Sequence, residues 1–203
     1  MKGEIRDMGM INPEKYYKET MRRKPSAIIK KFFANGYNEK LQGNTALDLG
    51  CGAGNDTEFL ISKGFKVTAV DCEENVRDIL KSRNINSSDL NIVIDDFSKT
   101  ELPKVDLVVA NFSLFFINDN LQEFMRRILK DNINSEGFFV GNFLGKEDDW
   151  SKKRTTVNKE ELLEYFKDYD IMYFSEEKYY RDGAISDRNK FWHIYTVIAR
   201  RHN

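Results

Sequence analysis

The chain has 203 residues, a formal net charge of −1 and only two histidines. That length suits one domain with a substantial core. Near-neutral charge argues against a dedicated nucleic-acid binder, which carries a basic face, and two histidines leave little imidazole chemistry. The charge is uneven: residues 1–40 hold ten Lys and Arg against five Asp and Glu, so +5, leaving −6 for the rest. Solvated helix faces account for this excess, and a modest attraction for an anionic substrate is the sharper alternative.

Cys51 and Cys72 have no C-x-x-C partners, and two histidines cannot complete a zinc set with plausible spacing, so no metal is expected. Both cysteines read as small residues lining a pocket. No apolar run reaches bilayer length, and Met1-Lys2-Gly3-Glu4 lacks the apolar region of a signal peptide. The expectation is a reducing, cytoplasmic setting without a membrane.

The first dozen residues are polar and Gly-punctuated, and are expected to be mobile. Pro13 to Met21 reads as a charged helix carrying Tyr16 and Tyr17. Pro25 suits the first turn of the next helix, whose Ile28, Ile29, Phe32 and Phe33 form one apolar face ended by Asn35-Gly36. Residues 1–36 are read as a helical cap segment and 37–203 as one compact domain.

Strand candidates follow at Thr45–Leu49, Lys66–Asp71, Leu90–Ile94, Val105–Ala110 and Gly137–Phe143. Helical patterns separate them. One runs from Ala53 to Lys63 and stops at Gly64 in the C′ position; another runs from Glu73 to Arg83. Residues 97–104 are too few for a long helix. Leu121, Phe124, Met125, Ile128 and Leu129 then fall at amphipathic spacing. Asn158 with Glu161 supplies an N-cap and a carboxylate at N3 before Leu162, Leu163 and Phe166. Two closing strands, Tyr169–Ser175 and Phe191–Ala199, flank a polar loop around Arg181–Asn189. Alternation of strand and helix predicts an α/β fold, a doubly wound sheet with helices on both faces.

The chemistry concentrates at Leu47-Asp48-Leu49-Gly50-Cys51-Gly52-Ala53-Gly54-Asn55. A buried strand runs into three alternate glycines, a turn tight enough for backbone N–H groups to approach a ligand. Twenty-one residues after Gly50, Asp71 closes the second strand, where a carboxylate can accept both hydroxyls of a ribose. Asn55 stands where a dinucleotide fingerprint wants its third glycine, which argues against a nicotinamide oxidoreductase.

These residues resemble the class I S-adenosylmethionine-dependent methyltransferases, of the small stand-alone bacterial type loosely similar to the tellurite and thiopurine resistance groups. The resemblance implies a Rossmann-like seven-stranded, mostly parallel sheet whose last strand inserts antiparallel between the fifth and sixth. It implies S-adenosylmethionine as cofactor. Gly50, Cys51 and Gly52 would meet its methionine tail, and Asp48 would orient the turn or meet the ammonium. Asp71 would hold the ribose, with Cys72 continuing over it. Asp96 and the Phe97 N–H would reach the adenine, with Asp95 the alternative if the register slips by one. Asn111 and Phe112 would flank the methionyl group. An Asn/Asp-Pro-Pro-aromatic motif is absent from this last segment, which counts against a DNA or release-factor substrate.

No residue presents itself as a general base; His193, in an alternating strand pattern, reads as structural. Acceptor-side candidates are Tyr16, Tyr17, Phe115, Trp150, Arg181 and Arg188, with solvated charge the plainer reading of the arginines. The leading expectation is methyl transfer to a small molecule by a monomer or homodimer. The alternatives are a catalytically silent cofactor-binding module and an RNA methyltransferase.

Overall fold

The computed structural model describes residues 13–83, 85–118, 120–183 and 189–202. The expectation for the first dozen residues therefore lies outside the described residues, as does Arg188. Seven strands form one sheet: β1 (Thr45–Leu49), β2 (Lys66–Asp71), β3 (Leu90–Ile94), β4 (Val105–Ala110), β5 (Ile133–Leu144), β6 (Tyr169–Arg181) and β7 (Lys190–Arg201). The helices are α1 (Pro13–Thr20), α2 (Ala27–Ala34), α3 (Asn55–Ser62), α4 (Asn75–Ser82), α5 (Leu121–Asp131) and α6 (Lys159–Tyr165).

The strand order is β3-β2-β1-β4-β5-β7-β6. β1 to β5 pair in parallel, and β7 lies antiparallel between β5 and β6. This is the insertion that the family resemblance implied. β4 is buried at every position, as a central parallel strand covered on both faces must be. Its one charge, Asp106, is satisfied by the backbone N–H and hydroxyl of Thr45 and by the Asn134 amide.

Alternate strand residues feed two cores. Leu47, Val108, Phe139 and Val197 pack with α5 residues Phe124, Met125 and Ile128 on one face. Ala46, Val109, Val140 and Ile198 pack with Ile28, Ile29 and Phe32 of α2 on the other. The period of 2 along strands and 3.6 along helices produces this division.

Three expectations shift. Pro25 does not open α2: Ser26 is its N-cap, with its hydroxyl accepting from the Ile29 N–H, so Pro25 stands outside the helix. α3 starts at Asn55 instead of Ala53, because Gly54 takes a left-handed conformation at the N-cap. The last three strands run past their apolar stretches, since hairpin pairing carries β6 through exposed Glu176, Glu177 and Lys178 to Arg181. Between β3 and β4, residues 97–104 hold no helix, as expected. The Asn158–Glu161 capping box forms as read.

Candidate functional site

Parallel strands end together, so β1, β2, β3 and β4 bring their following loops to one edge of the sheet. Gly50, Gly52 and Gly54 all adopt positive φ, folding the chain sharply between β1 and α3. Gly50 also allows close approach: a Cβ there would lie 2.5 Å from Cβ of Ser113, in the loop after β4. At Gly54 a Cβ would lie 2.2 Å from a methyl of Leu80 in α4. The turn is thus wedged between two other segments of the edge.

Asp71 reaches into this turn. Its Oδ2 accepts from the Gly52 N–H at 2.9 Å, and its Oδ1 accepts from Glu73 N–H at 3.1 Å and the Tyr17 hydroxyl at 3.4 Å. Burial raises its pKa, against the lowering effect of those backbone N–H groups. Asp48 accepts from the Thr57 hydroxyl at 2.6 Å, tying the end of β1 to the first turn of α3. Burial, with Asp56 nearby, pushes its carboxyl up to about 7. Cys51 is buried with its thiol pKa raised by desolvation, whereas Cys72 is exposed, and neither forms a disulfide.

Asp96 closes a local turn, with Oδ1 accepting from the Ser98 N–H and hydroxyl at 3.0 and 2.6 Å. Its pKa is lowered because these bonds and Lys99 outweigh desolvation, the largest single influence. Asp95 is exposed and accepts from the Asp96 N–H. The Phe97 ring stands beside Gly50 and tilts against Phe124 at 5.6 Å. Asn111 is half-buried at the end of β4, next to Phe112, an exposed ring on a backbone with φ of 54°.

The acceptor-side candidates separate. Tyr17 belongs with the cofactor turn: it is buried on Cys51, Ala53 and Leu80, and Tyr16 packs edge-on against it at 5.4 Å. Phe115 and Trp150 lie 5.9 Å apart in a ring cluster that includes Trp192. Trp150 is therefore pinned to the core. The side chain of Arg181 is exposed, and only its carbonyl joins the cluster, accepting from the Trp192 indole N–H at 3.1 Å.

His193 is structural. Its Nδ1 accepts from the Glu147 N–H at 3.3 Å, so Nε2 carries the proton that meets Glu176 Oε1 at 3.0 Å. Its ring also fills the space above Gly145, where a Cβ would lie 2.3 Å away.

Two features escaped the sequence. Asn55 donates to the Thr20 carbonyl at 2.9 Å, and Arg83 donates to Asn55 Oδ1, Ala53 carbonyl and Met21 carbonyl, fastening the end of α1 to the glycine turn. Lys190 is buried against Asp148, with its ammonium over the Trp192 and Trp150 rings at 3.5 and 4.7 Å. The only hint was a lysine directly preceding the apolar run of β7. A separate crevice, lined by Thr45, Lys66, Asn91 and Lys104, opens at the opposite edge of the sheet and shares no residue with the glycine turn.

Sheet order, with the glycine turn after β1 and the acid ending β2, gives this chain the fold of the class I S-adenosylmethionine-dependent methyltransferases. Comparisons agree. Residues 46–132 match a family described as a methyltransferase domain. Over 73 residues the chain is 36% identical to a protein described as probable ribosomal RNA small subunit methyltransferase A of Methanococcoides burtonii; this stretch takes in 36% of the chain and 27% of that relative. Among solved structures, TehB from Haemophilus influenzae superposes with a TM-score of 0.71 at 20% identity, covering 93% of this chain and 67% of that one. The N-methyltransferase NodS from Bradyrhizobium japonicum, solved with S-adenosylhomocysteine, gives 0.62 at 14% identity, covering 95% of this chain and 100% of that one. Magnesium protoporphyrin IX methyltransferase from Synechocystis, solved with bound S-adenosylmethionine, gives 0.59 at 15% identity over 99% and 86% of the two chains. At such identities the likeness is one of fold. Among the described residues, no helix is long and apolar enough to cross a membrane, and no group of His, Cys, Asp and Glu is arranged to hold a metal.

Proposed function

We propose that this protein transfers the methyl group of S-adenosylmethionine to a small-molecule acceptor. The observation carrying this reading is the Asp71 carboxylate, held at the end of β2 beside the left-handed turn at Gly50 and Gly52. The residues present suit the cofactor. The turn admits no side chain at Gly50. The Asn75 Oδ1 atom, four residues past Asp71, is buried without a partner, which suits a polar ligand at this edge.

In this reading Asp71 holds the ribose hydroxyls, and the backbone of Gly50, Cys51 and Gly52 holds the amino-acid tail, with Asn111 and Phe112 beside it. Asp96 and the Phe97 N–H serve the adenine, and exposed Cys72 borders the ribose. Bound S-adenosylmethionine supplies a methyl group already activated by the positive charge on its sulfur. The protein's share is then alignment and exclusion of water. The acceptor's proton passes to solvent, since His193 is engaged with Glu176 and Glu147.

Calorimetric titration with S-adenosylhomocysteine tests the reading, alongside mass spectrometry of whatever nucleoside and acceptor co-purify. Saturable one-site binding is the expected outcome; a protein that never retains the nucleoside would remove the assignment.

An RNA substrate is the second reading, favoured by the relative described as a ribosomal RNA methyltransferase and by the +5 charge of residues 1–40. It requires RNA binding that weakens steeply with salt. The small-molecule reading expects none.

A further inference from the structure

Beside the glycine turn stands a wall of rings. Phe112 packs perpendicular to Trp192 at 5.9 Å and to Phe115 at 6.3 Å, and Trp150 lies 5.3 Å from Trp192. Phe115 and Trp192 are buried, but Phe112 leaves 38% of its surface open while its backbone holds φ at 54°. Such a backbone is strained for a residue with a side chain, and an exposed ring returns little burial to offset it.

The wall has a polar floor. In β5 and β7, Leu144 pairs with Ile194 and Asn142 with Thr196, so Asn142 lies on the sheet face that carries Leu144 and Ile194. Those two pack directly with Phe115 and Trp192. The Asn142 amide donates to Thr196 Oγ1 at 2.9 Å, yet its Oδ1 is buried with no donor facing it. Asn142 is only 5% exposed. A second buried atom without a partner, the Ser113 hydroxyl, adjoins Gly50 between this wall and the cofactor turn. Buried polar atoms in folded proteins are nearly always paired, and two orphans at one edge mark a place that a ligand completes. The buried Lys190–Asp148 pair balances its own charge, so the lysine beneath Trp192 is not offered to an ionic acceptor.

We propose that this wall is the acceptor site, and that it takes an uncharged planar aromatic compound with a free O–H or N–H. The ring lies against Phe112, and the donor meets Asn142 Oδ1. This inference rests on the methyl-transfer reading and specifies its substrate class. One consequence is directional: methylation of a hydroxyl removes the hydrogen that Asn142 accepts, so the product is held more weakly than the substrate.

The test uses the protein saturated with S-adenosylhomocysteine. Its only two tryptophans, Trp150 and Trp192, both belong to the wall, so indole emission reports this site alone. para-Nitrophenol, titrated below its own pKa so that it is neutral and keeps its O–H, absorbs close to where indole emits; it is expected to quench saturably and to be displaced by phenol. Cyclohexanol has the hydroxyl without the flat ring, and anisole has the ring without the donor. Each should compete about tenfold more weakly than phenol, the worth of a hydrogen bond or stacking contact left unmade. Asn142→Leu, close in volume, should erase the difference between phenol and anisole while leaving S-adenosylhomocysteine affinity unchanged. Equal competition by cyclohexanol overturns the planar requirement, and equal competition by anisole overturns the donor; both comparisons stand on the unaltered protein, whatever the fold of the variant. Absence of saturable quenching with the nucleoside bound overturns the acceptor site while the methyl-transfer reading stands. Failure to bind the nucleoside instead strikes that reading, and the acceptor assignment falls with it.

Discussion

The Tyr17 hydroxyl donates to Asp71 Oδ1 at 3.4 Å, and the tyrosine ring lies against Gly52. The N-terminal helix therefore stands on the carboxylate assigned to the ribose. On the proposed assignment, cofactor binding would exchange this hydrogen bond for those of two sugar hydroxyls. Tyr17→Phe should accordingly tighten S-adenosylhomocysteine binding by about two- to tenfold, the net worth of one hydrogen bond, as read by calorimetry. Weaker binding would mean that the phenol orients Asp71 instead of competing for it.

Asp71→Asn keeps the size of the side chain and removes its charge. Loss of charged hydrogen bonds to the ribose should cost about 1.5–3 kcal/mol of nucleoside affinity. Unchanged affinity would discard the ribose assignment.

Asp48 links the site to pH. Its folded-state carboxyl sits at about 7 against 3.8 for an ordinary aspartate, raised first by burial. The folded protein therefore binds a proton more tightly here than the unfolded chain does. This group's favourable contribution is present in full below the unfolded value and is lost as pH climbs through the folded one, at up to about 1.4 kcal/mol per pH unit. Asp56 and Asp71 shift in the same direction, also by burial. Asp48→Asn retains an acceptor for Thr57, and denaturant midpoints measured from pH 4 to 8 should fall less steeply than in the parent. Parallel curves would refute the titration.

Gly145 faces the His193 ring with no space between. Gly145→Ala places a Cβ 2.3 Å from Nδ1, so the imidazole must move and break its bond to the Glu147 N–H. The expected loss is about 1–3 kcal/mol in stability, the usual cost of overpacking. Thermal melting would show it, and the same loss should vanish in a His193→Ala background.

Lys190 and Asp148 are buried together, so removing one strands the other. Lys190→Met alone should destabilise by about 3–5 kcal/mol, and Lys190→Met with Asp148→Asn by less, because the amide removes the stranded charge yet keeps an acceptor for the backbone N–H groups of Trp150 and His193 that Asp148 holds. A double variant no more stable than the single one would mean that the pair contributes net attraction.

The first four strands coincide residue for residue with their sequence reading, because each is a short apolar run closed by a turn residue. β5 to β7 run longer than their apolar patterns: β6 and β7 go on pairing after the alternation stops, and β5 starts early because Ile133 pairs with Val105 of β4, and nothing local signals either. Asp71 and the glycines were legible because their spacing is set within one strand–helix–strand unit. Asn55, Arg83, Asn142 and Lys190 were not, because what defines each is a partner far along the chain, 28 residues away between Arg83 and Asn55 and 42 between Lys190 and Asp148. The bond between Tyr17 and Asp71 joins residues 54 apart and leaves no trace in the sequence around either.

The strand order has a consequence for synthesis. β6 leaves the ribosome before β7, yet β7 is the strand that joins it to β5. Until then both of those strands present unpaired backbone to the surroundings, and β6 has no place to dock. Until β7 is made, the β5 edge of the parallel sheet stays open, and an open edge is the place where chaperone attendance or self-association would act.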